Sequence, residues 1–444
     1  MNSLYKQLFL SVRFFWFGGI IVVLFAFSFM IHWLFPIAQV CLVFLGAITF
    51  ADILLLLNPK RKVNAERFVP GIMSLGDENP VSLTIKNAKG VDLKITVFDD
   101  LPYQLQKRDF KIESKLANGE EKIFNYTLVP TSRGEYIFGN IHLILSSPIG
   151  LINQKQSIPH NTAVHVYPSI VQMKKYELKA HHSYSLSDGI KRQRRLGHSY
   201  EFDQIKEYVV GDDSRSINWK ASSRRSSLMV NQYEDERAQQ VYSIIDKSRS
   251  MRMPFNNLTL LDYAINSSLV ISNVVLQKHD KAGLITFSDK IGTIVPAEKN
   301  VQQLKKILEA LYNEQEQFLE AEYELLYHLV RNVVKNRSLI FLYTNFESLH
   351  AFERVLPILR RINKLHLLVV IFFENEEVVK LSKNSVNNLY DIYVQTMARK
   401  YLGDKAQIAS ELSNLGINCI KSLPSELSIN TINKYLELKS RGLI

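Results

Sequence analysis

The chain predicts three bodies in order: a transmembrane helical hairpin, an antiparallel β-sandwich and a doubly wound α/β domain of Rossmann type. Three observations carry that expectation. Residues 14–35 and 37–57 are almost wholly apolar, short alternating runs between Gly, Asn, Pro and Asp turns fill 63–170, and apolar strands alternate with amphipathic stretches from 239 onward. The expected boundaries are 1–62 for the hairpin, 63–170 for the sandwich, 171–238 for a polar arm and linker, and 239–444 for the α/β domain. A chain of 444 residues has room for them all.

Each apolar run approaches the ~20 residues a helix needs to cross hydrocarbon. The connection from His32 to Pro36 is short, so a tight hairpin is expected. No small-residue cleavage site follows the first run and a second span does, which favours an anchor over a cleaved signal. Lys6 and Arg13 precede the hairpin, Lys60, Arg61 and Lys62 follow it, and its turn has no lysine or arginine. The positive-inside rule then sets both ends and the soluble domains in the cytoplasm, as a two-pass membrane protein. Asp52 is expected near the helix end, where water and headgroups reach it. The net charge of +11 suits an anionic neighbour, a membrane surface or nucleic acid, and the apolar runs favour the membrane. Cys41 and Cys419 are the only cysteines, which excludes a disulfide framework and a thiolate zinc site.

Runs at 81–85, 93–98, 122–128, 135–138, 141–145 and 164–167 read as strands. Their spacing implies a sandwich of immunoglobulin type, without a Cys-Trp-Cys core. It holds no catalytic constellation. Arg133 and Gly134 in SRGEY suit either a recognition point or a structural turn, and the domain reads as a spacer or docking module.

In the last two hundred residues, runs at 241–245, 283–287, 338–343, 366–373 and 417–420 read as parallel strands covered by helices on both faces. No glycine-rich phosphate loop, HExxH helix or GxSxG elbow occurs, which argues against a nucleotide-hydrolysing or hydrolytic engine. The stretch VYSIIDKSRSMRM delivers Asp246, Ser248 and Ser250 at alternating positions where a strand ends. One carboxylate and two hydroxyls there suit a hard cation such as Mg²⁺. They equally suit a polar turn whose serines cap the next helix.

With Met251 behind it, this D-x-S-x-S turn resembles the metal-ion-dependent adhesion site of von Willebrand factor A domains, and AGLITFSD resembles their second strand. Complete sites add a threonine after that strand and an aspartate after the middle one. Here 296–300 holds no threonine, and Thr344 is followed by Asn345. The resemblance therefore implies an incomplete site of Asp246, Ser248 and Ser250, with Thr344 and Asn345 nearby, binding Mg²⁺ or Mn²⁺ weakly.

The segment YEFDQIKEYVVGDDSRSINWKASSRRSSLMVNQYEDER is similar to the signature of the domain-of-unknown-function fifty-eight family, a bacterial group with membrane hairpins and a von Willebrand A-like domain. Gly211, Asp212, Asp213, Arg215, Trp219, Lys220 and Arg224 are among the matches. RGEYIFGNIHL, SPIGL and INKYLELKSRG extend the likeness. As structure, the segment reads as an arm stapled by Asp212 and Asp213 to Arg215, Arg224 or Arg225, with Trp219 anchored on a domain. As function, Arg215, Lys220, Arg224 and Arg225 offer a surface for an acidic partner or a phosphate. The basic run Lys191, Arg192, Arg194 and Arg195 reads as a solvated linker near headgroups.

The favoured reading is a non-catalytic, membrane-anchored binding protein or adaptor with no nucleic-acid role, and the resemblance to a bacterial group implies that its membrane is the bacterial inner membrane. It would act with a MoxR-type AAA+ ATPase and related von Willebrand A proteins in complex assembly or chaperoning. Two competing readings are a metal-dependent phosphoesterase or other hydrolase using Asp246, and an extracellular adhesin, which the basic flanks of the hairpin oppose.

Overall fold

The structure, a computed structural model, describes residues 7–57, 62–107, 109–169, 201–209, 212, 214–225, 227–234, 238–255, 258–383 and 388–443. Two compact units, 1–169 and 170–444, divide the chain. Lys6, Lys60, Arg61 and the basic run from Lys191 to Arg195 lie outside the described residues.

The first unit opens with β1 (Leu8–Leu10), α1 (Val12–Ser28) and α2 (Leu34–Leu56). Helix α2, with 23 residues, is long and apolar enough to cross a membrane, whereas α1 has 17. The break between the apolar runs falls at 29–33 and not at Pro36. Pro36 sits in the first turn of α2, where its missing N–H has no helical acceptor to lose. Val43, Phe44 and Phe50 of α2 are more than half exposed, while Leu45, Ile48, Ile53 and Leu56 pack on the core of the unit, so one side of the helix is uncovered among the described residues.

The strands that follow are β2 (Val63–Phe68), β3 (Ile72–Ser74), β4 (Asn79–Asn87), β5 (Leu93–Asp99), β6 (Lys111–Leu116), β7 (Glu121–Leu128), β8 (Gly134–Phe138), β9 (Ile141–Ser146), β10 (Ile152–Ile158) and β11 (Thr162–Tyr167). They form sheets in the orders β1-β10-β9-β5-β6, β2-β4-β7 and β3-β11-β8. Alternate residues point inward: Val63, Leu83 and Ile85 share one core with Ile95, Val97, Leu143 and Leu145. Each of the six expected strands is present, extended by one to four residues. Strands β1, β2, β3, β6 and β10 were not foreseen, because KIESKL and INQKQSI carry too few apolar residues to show a period of two. Within this core Arg67 and Asp99 form an ion pair with both side chains fully buried. Arg67 Nη2 also donates to Gly139 O at 3.0 Å and His160 O at 2.6 Å, whereas its buried Nε has no partner among the described residues.

Asp52 departs from expectation. It is fully buried, and its carboxyl oxygens accept the Leu151 and Ile152 amides at 2.9 Å each and the Ser147 hydroxyl. The SPIGL turn thus closes on α2, and water does not reach the carboxyl group. The same side of the unit is pinned by Ser11 Oγ donating to Gly150 O at 2.6 Å and by Lys89 Nζ donating to Leu56 O at 2.5 Å. Gly150 has φ +72°, and a Cβ there would meet the Arg13 guanidinium at 2.9 Å. Gly150→Ala should therefore loosen this seam, read as a lower melting temperature and faster exchange of the Leu151 amide.

The second unit begins with β12 (Glu201–Glu207), α3 (Trp219–Arg225) and β13 (Met229–Glu234), β12 and β13 pairing antiparallel. It continues through β14 (Gln240–Asp246), β15 (Pro254–Phe255), β16 (Leu258–Thr259), α4 (Leu260–Gln277), β17 (Lys281–Phe287), β18 (Ile291–Glu298), α5 (Gln303–Asn313), α6 (Tyr323–Val333), β19 (Leu339–Tyr343), α7 (Leu349–Leu365), β20 (Leu367–Phe373), α8 (Glu376–Lys383), α9 (Leu389–Asn414), β21 (Asn418–Ser422) and α10 (Leu427–Ser440).

A six-stranded sheet runs β18-β17-β14-β19-β20-β21, parallel except for the antiparallel edge β18. Helices cover both faces, because alternate residues of each strand go to opposite cores. Ile245 packs with Ile265 and Leu269 of α4 and Tyr435 of α10. Ile244 packs with Leu326 of α6, Phe352 of α7 and Leu412 of α9. The five expected parallel strands all appear. Strand β18 was missed, since its exposed edge face and Pro296 hide the pattern. INKYLELKSRG lies in α10 and its end, where Tyr435 Oη and Lys439 Nζ donate to Asp280 at 2.5 and 2.6 Å.

Candidate functional site

The order β18-β17-β14-β19-β20-β21 reverses direction at β14, so the crevice above the carboxyl ends of β14 and β19 is where an open α/β sheet places a ligand. The chain puts Asp246 there, at the last residue of β14, with only 1 % of its surface exposed. Asp246 Oδ1 accepts the Ser248 amide at 2.8 Å, closing the turn. Its Oδ2 accepts the Thr344 hydroxyl at 2.8 Å and the Tyr323 hydroxyl at 3.3 Å. Ser248 Oγ and Ser250 Oγ lie 3.1 Å apart, and Asn345 Nδ2 donates to Ser250 O at 3.2 Å. Asp246, Ser248, Ser250, Thr344 and Asn345 therefore do converge. Burial pushes the Asp246 carboxyl above the usual range, although Ser248, Thr344 and Tyr323 all donate to it.

Two further groups complete the crest, and the sequence carries no signal for either. Tyr323, the first residue of α6, is buried between Phe287 and Phe346, with its hydroxyl 2.6 Å from Thr344 Oγ1. Lys405 of α9 is 2 % exposed and donates to Asn345 Oδ1 at 2.6 Å and Phe346 O at 2.7 Å. Its ammonium also lies near the rings of Tyr401 and Phe372. Burial lowers the Lys405 amine to about 8.

These partners decide how well a dication fits. Mg²⁺ and Mn²⁺ need several oxygen ligands with net negative charge. The crest offers one carboxylate with both oxygens already engaged, and Lys405 spends the Asn345 oxygen while adding a positive charge. No group of three His, Cys, Asp or Glu suited to a metal occurs among the described residues. The donor set therefore does not meet the needs of a resident divalent ion. Near it, Glu314 is held below the usual range: burial alone would raise it, but Lys247 at 2.7 Å and the hydroxyls of Thr293 and Thr286 outweigh that.

A strap crosses the D-x-S-x-S turn. Between α5 and α6 the chain hydrogen-bonds back to it, Gln317 N to Lys247 O at 2.8 Å and Arg249 N to Leu319 O at 3.0 Å. Arg252 reinforces the strap with Glu316 at 3.0 Å and with its guanidinium 4.0 Å from the Phe318 ring centre. The strap presents Phe318 and Leu319 to solvent, 71 % and 60 % exposed. Paired exposed apolar residues beside a polar crevice are the kind of feature a partner covers. They were not foreseen, because exposure is not encoded in local pattern.

The signature arm differs from its expected form. Asp212 pairs with Lys206 at 2.7 Å and accepts the Val209 amide at 3.0 Å, and it has no arginine partner among the described residues. Lys206 lies on β12, so the turn is closed locally. Trp219 is not an anchor, being 71 % exposed at the start of α3. The segment is pinned instead by the smaller Asn218 and Ser222: Ser222 Oγ accepts the Met229 amide at 2.9 Å, and Asn218 Nδ2 reaches Asn231 Oδ1 at 2.8 Å. Lys220 and Arg224 are exposed, and Arg215, also exposed, is not without a partner. Gly211 and Asp213 lie outside the described residues. Gly134 starts β8 with φ +129°, which makes SRGEY a turn that needs glycine.

A family model described as protein of unknown function DUF58 matches residues 204–393, a span that takes in both the arm and the Asp246 turn. The uncharacterized protein YeaD of Bacillus subtilis is 25% identical over 277 residues, 60% of this chain and 66% of that protein. The chain thus spans just under two thirds of the length of the curated relative it matches. Both findings support the family likeness read from the signature. Solved structures similar to part of the chain include the CARDB domain of the PF1109 protein from Pyrococcus furiosus, with TM-score 0.17, 15% identity, and coverage of 24% of this chain and 93% of that one. The PapD-like domain of human CEP192 has TM-score 0.19 and 13% identity, covering 24% of this chain and 87% of its own.

Proposed function

We propose that this chain is a membrane-anchored protein-binding module or adaptor of the cytoplasmic face, whose α/β crest is a degenerate adhesion site of von Willebrand A type. It works with a MoxR-type AAA+ ATPase in complex assembly or chaperoning. The observation that carries this reading is the crest itself: a buried carboxylate fully engaged by hydroxyls and an amide, locked by an internal lysine, under a strap that offers Phe318 and Leu319. Both oxygens of the Asp246 carboxylate are taken by internal donors, which leaves it poorly placed to take a proton from a substrate. Helix α2 supports the anchor, α1 completes the hairpin, and Mg²⁺ or Mn²⁺ plays at most a weak part.

Affinity capture from solubilised membranes, with and without ATP and Mg²⁺, tests the reading. The expected result is one dominant ATPase partner whose capture survives EDTA and drops at least tenfold with Phe318→Ala/Leu319→Ala, as loss of a buried apolar anchor implies. Turnover of a phosphoester by the pure protein, abolished by Asp246→Ala, would instead select the hydrolase. For the topology, protease added to spheroplasts should leave both soluble units uncut until lysis, since Arg13 and Lys62 flank the hairpin on its outer ends. Cleavage before lysis would select the adhesin reading.

A further inference from the structure

The signature arm holds a basic groove apart from the crest. Ile205 of β12, Ala221 of α3 and Met229 of β13 contribute apolar lining, Lys220, Arg224 and Arg225 contribute the charge, and the space between them is about 300 Å³. Among the described residues no carboxylate lines it. The three cations are exposed and have no ion-pair partner among the described residues. Asp212, an acid of the same arm, is already committed to Lys206. Trp219 and Leu228, 71 % and 47 % exposed, stand next in sequence to lining residues.

Three like charges around one hollow repel each other and raise the local potential, which draws in an anion. The apolar lining narrows the class of ligand. A free phosphate would satisfy the cations and leave the lining wet, and a flat headgroup layer would meet the rim without filling the hollow. A polypeptide segment with carboxylates on either side of a large apolar side chain satisfies both, the side chain entering the hollow and the carboxylates meeting the rim. We propose that this groove binds an acidic segment of a protein partner that bears such an apolar residue. It is a second contact point, independent of the crest and its strap.

A random 12-residue peptide library displayed on phage, panned against the full chain in phosphatidylcholine nanodiscs, tests this directly. Panning includes counter-selection on the Lys220→Ser/Arg224→Ser/Arg225→Ser variant. Enriched peptides should combine Asp or Glu with Phe, Leu or Trp. Their fluorescein-labelled synthetic forms should bind the wild-type chain roughly tenfold or more tightly than the variant, with affinity falling as salt rises. All three side chains face solvent, so the variant should keep the wild-type melting temperature. An Arg224→Glu chain should recover binding to a peptide with one Glu changed to Lys. Failure to enrich any peptide, enrichment of peptides without acids, equal binding to the variant, or capture only by phosphatidylglycerol vesicles would overturn the proposal.

Discussion

Asp52→Ala should open the seam between α2 and the SPIGL turn and markedly destabilise the first unit. The substitution removes the acceptor of two amides and one hydroxyl, from Leu151, Ile152 and Ser147, all buried. Each buried donor left without a partner costs ~1–3 kcal/mol, so ~3 kcal/mol or more is expected. Hydrogen exchange reads this locally: the Leu151 and Ile152 amides should exchange about a hundredfold faster, while amides of β4 and β7 stay protected. Asp52→Asn keeps one acceptor oxygen and should show a smaller change. Unaltered exchange in Asp52→Ala would mean that the seam contributes nothing, and that apolar packing alone holds α2 to the sheet.

Lys405→Ala should destabilise the second unit on a similar scale, ~3–5 kcal/mol. It deletes a buried four-carbon stem and leaves Asn345 Oδ1 and Phe346 O without donors. Lys405→Met retains most of the stem and should recover part of that loss. The pH dependence separates the charge from the stem. The amine falls from 10.5 in the unfolded chain to about 8 when folded, so between those values the unfolded chain binds more protons than the folded one. Stability contributed by this group therefore rises with pH across that window and is flat below it, where both states are protonated. The melting temperature of the wild type relative to Lys405→Met should climb from pH 8 to pH 10.5 and stay constant from pH 6 to pH 7. A constant difference throughout would show that the ammonium is not confined as the geometry has it.

The sequence by itself located the five parallel strands of the second unit and six of the eleven strands of the first. Runs such as VYSIID and HLLVVIFF are continuous and apolar because a strand covered on both faces must be so, and that signal needs no knowledge of the rest of the chain. It also placed Asp246, Ser248 and Ser250 together, since three residues of one turn stay close whatever surrounds them. The strands it hid, such as KIESKL and the edge IGTIVPAE, face solvent on at least one side, where polarity is unconstrained.

What decided the character of the crest came from elsewhere in the chain. Tyr323 lies 77 residues from Asp246 and Lys405 is joined to it only through Asn345, and nothing local marks either. Only the winding of the sheet brings a lysine of α9 to the loop after β19, and only that contact takes the Asn345 oxygen away from a cation. Trp219 and Asp52 show the same limit in opposite directions. An aromatic residue in a signature was expected to be buried and is exposed, while a carboxylate in an apolar helix was expected at the water's edge and is buried. Composition sets the average cost of burying a side chain, but whether it is buried depends on donors supplied from distant segments. The amides of Leu151 and Ile152 supply them for Asp52, and the carbonyl oxygens of Asn345 and Phe346 take the corresponding part for Lys405.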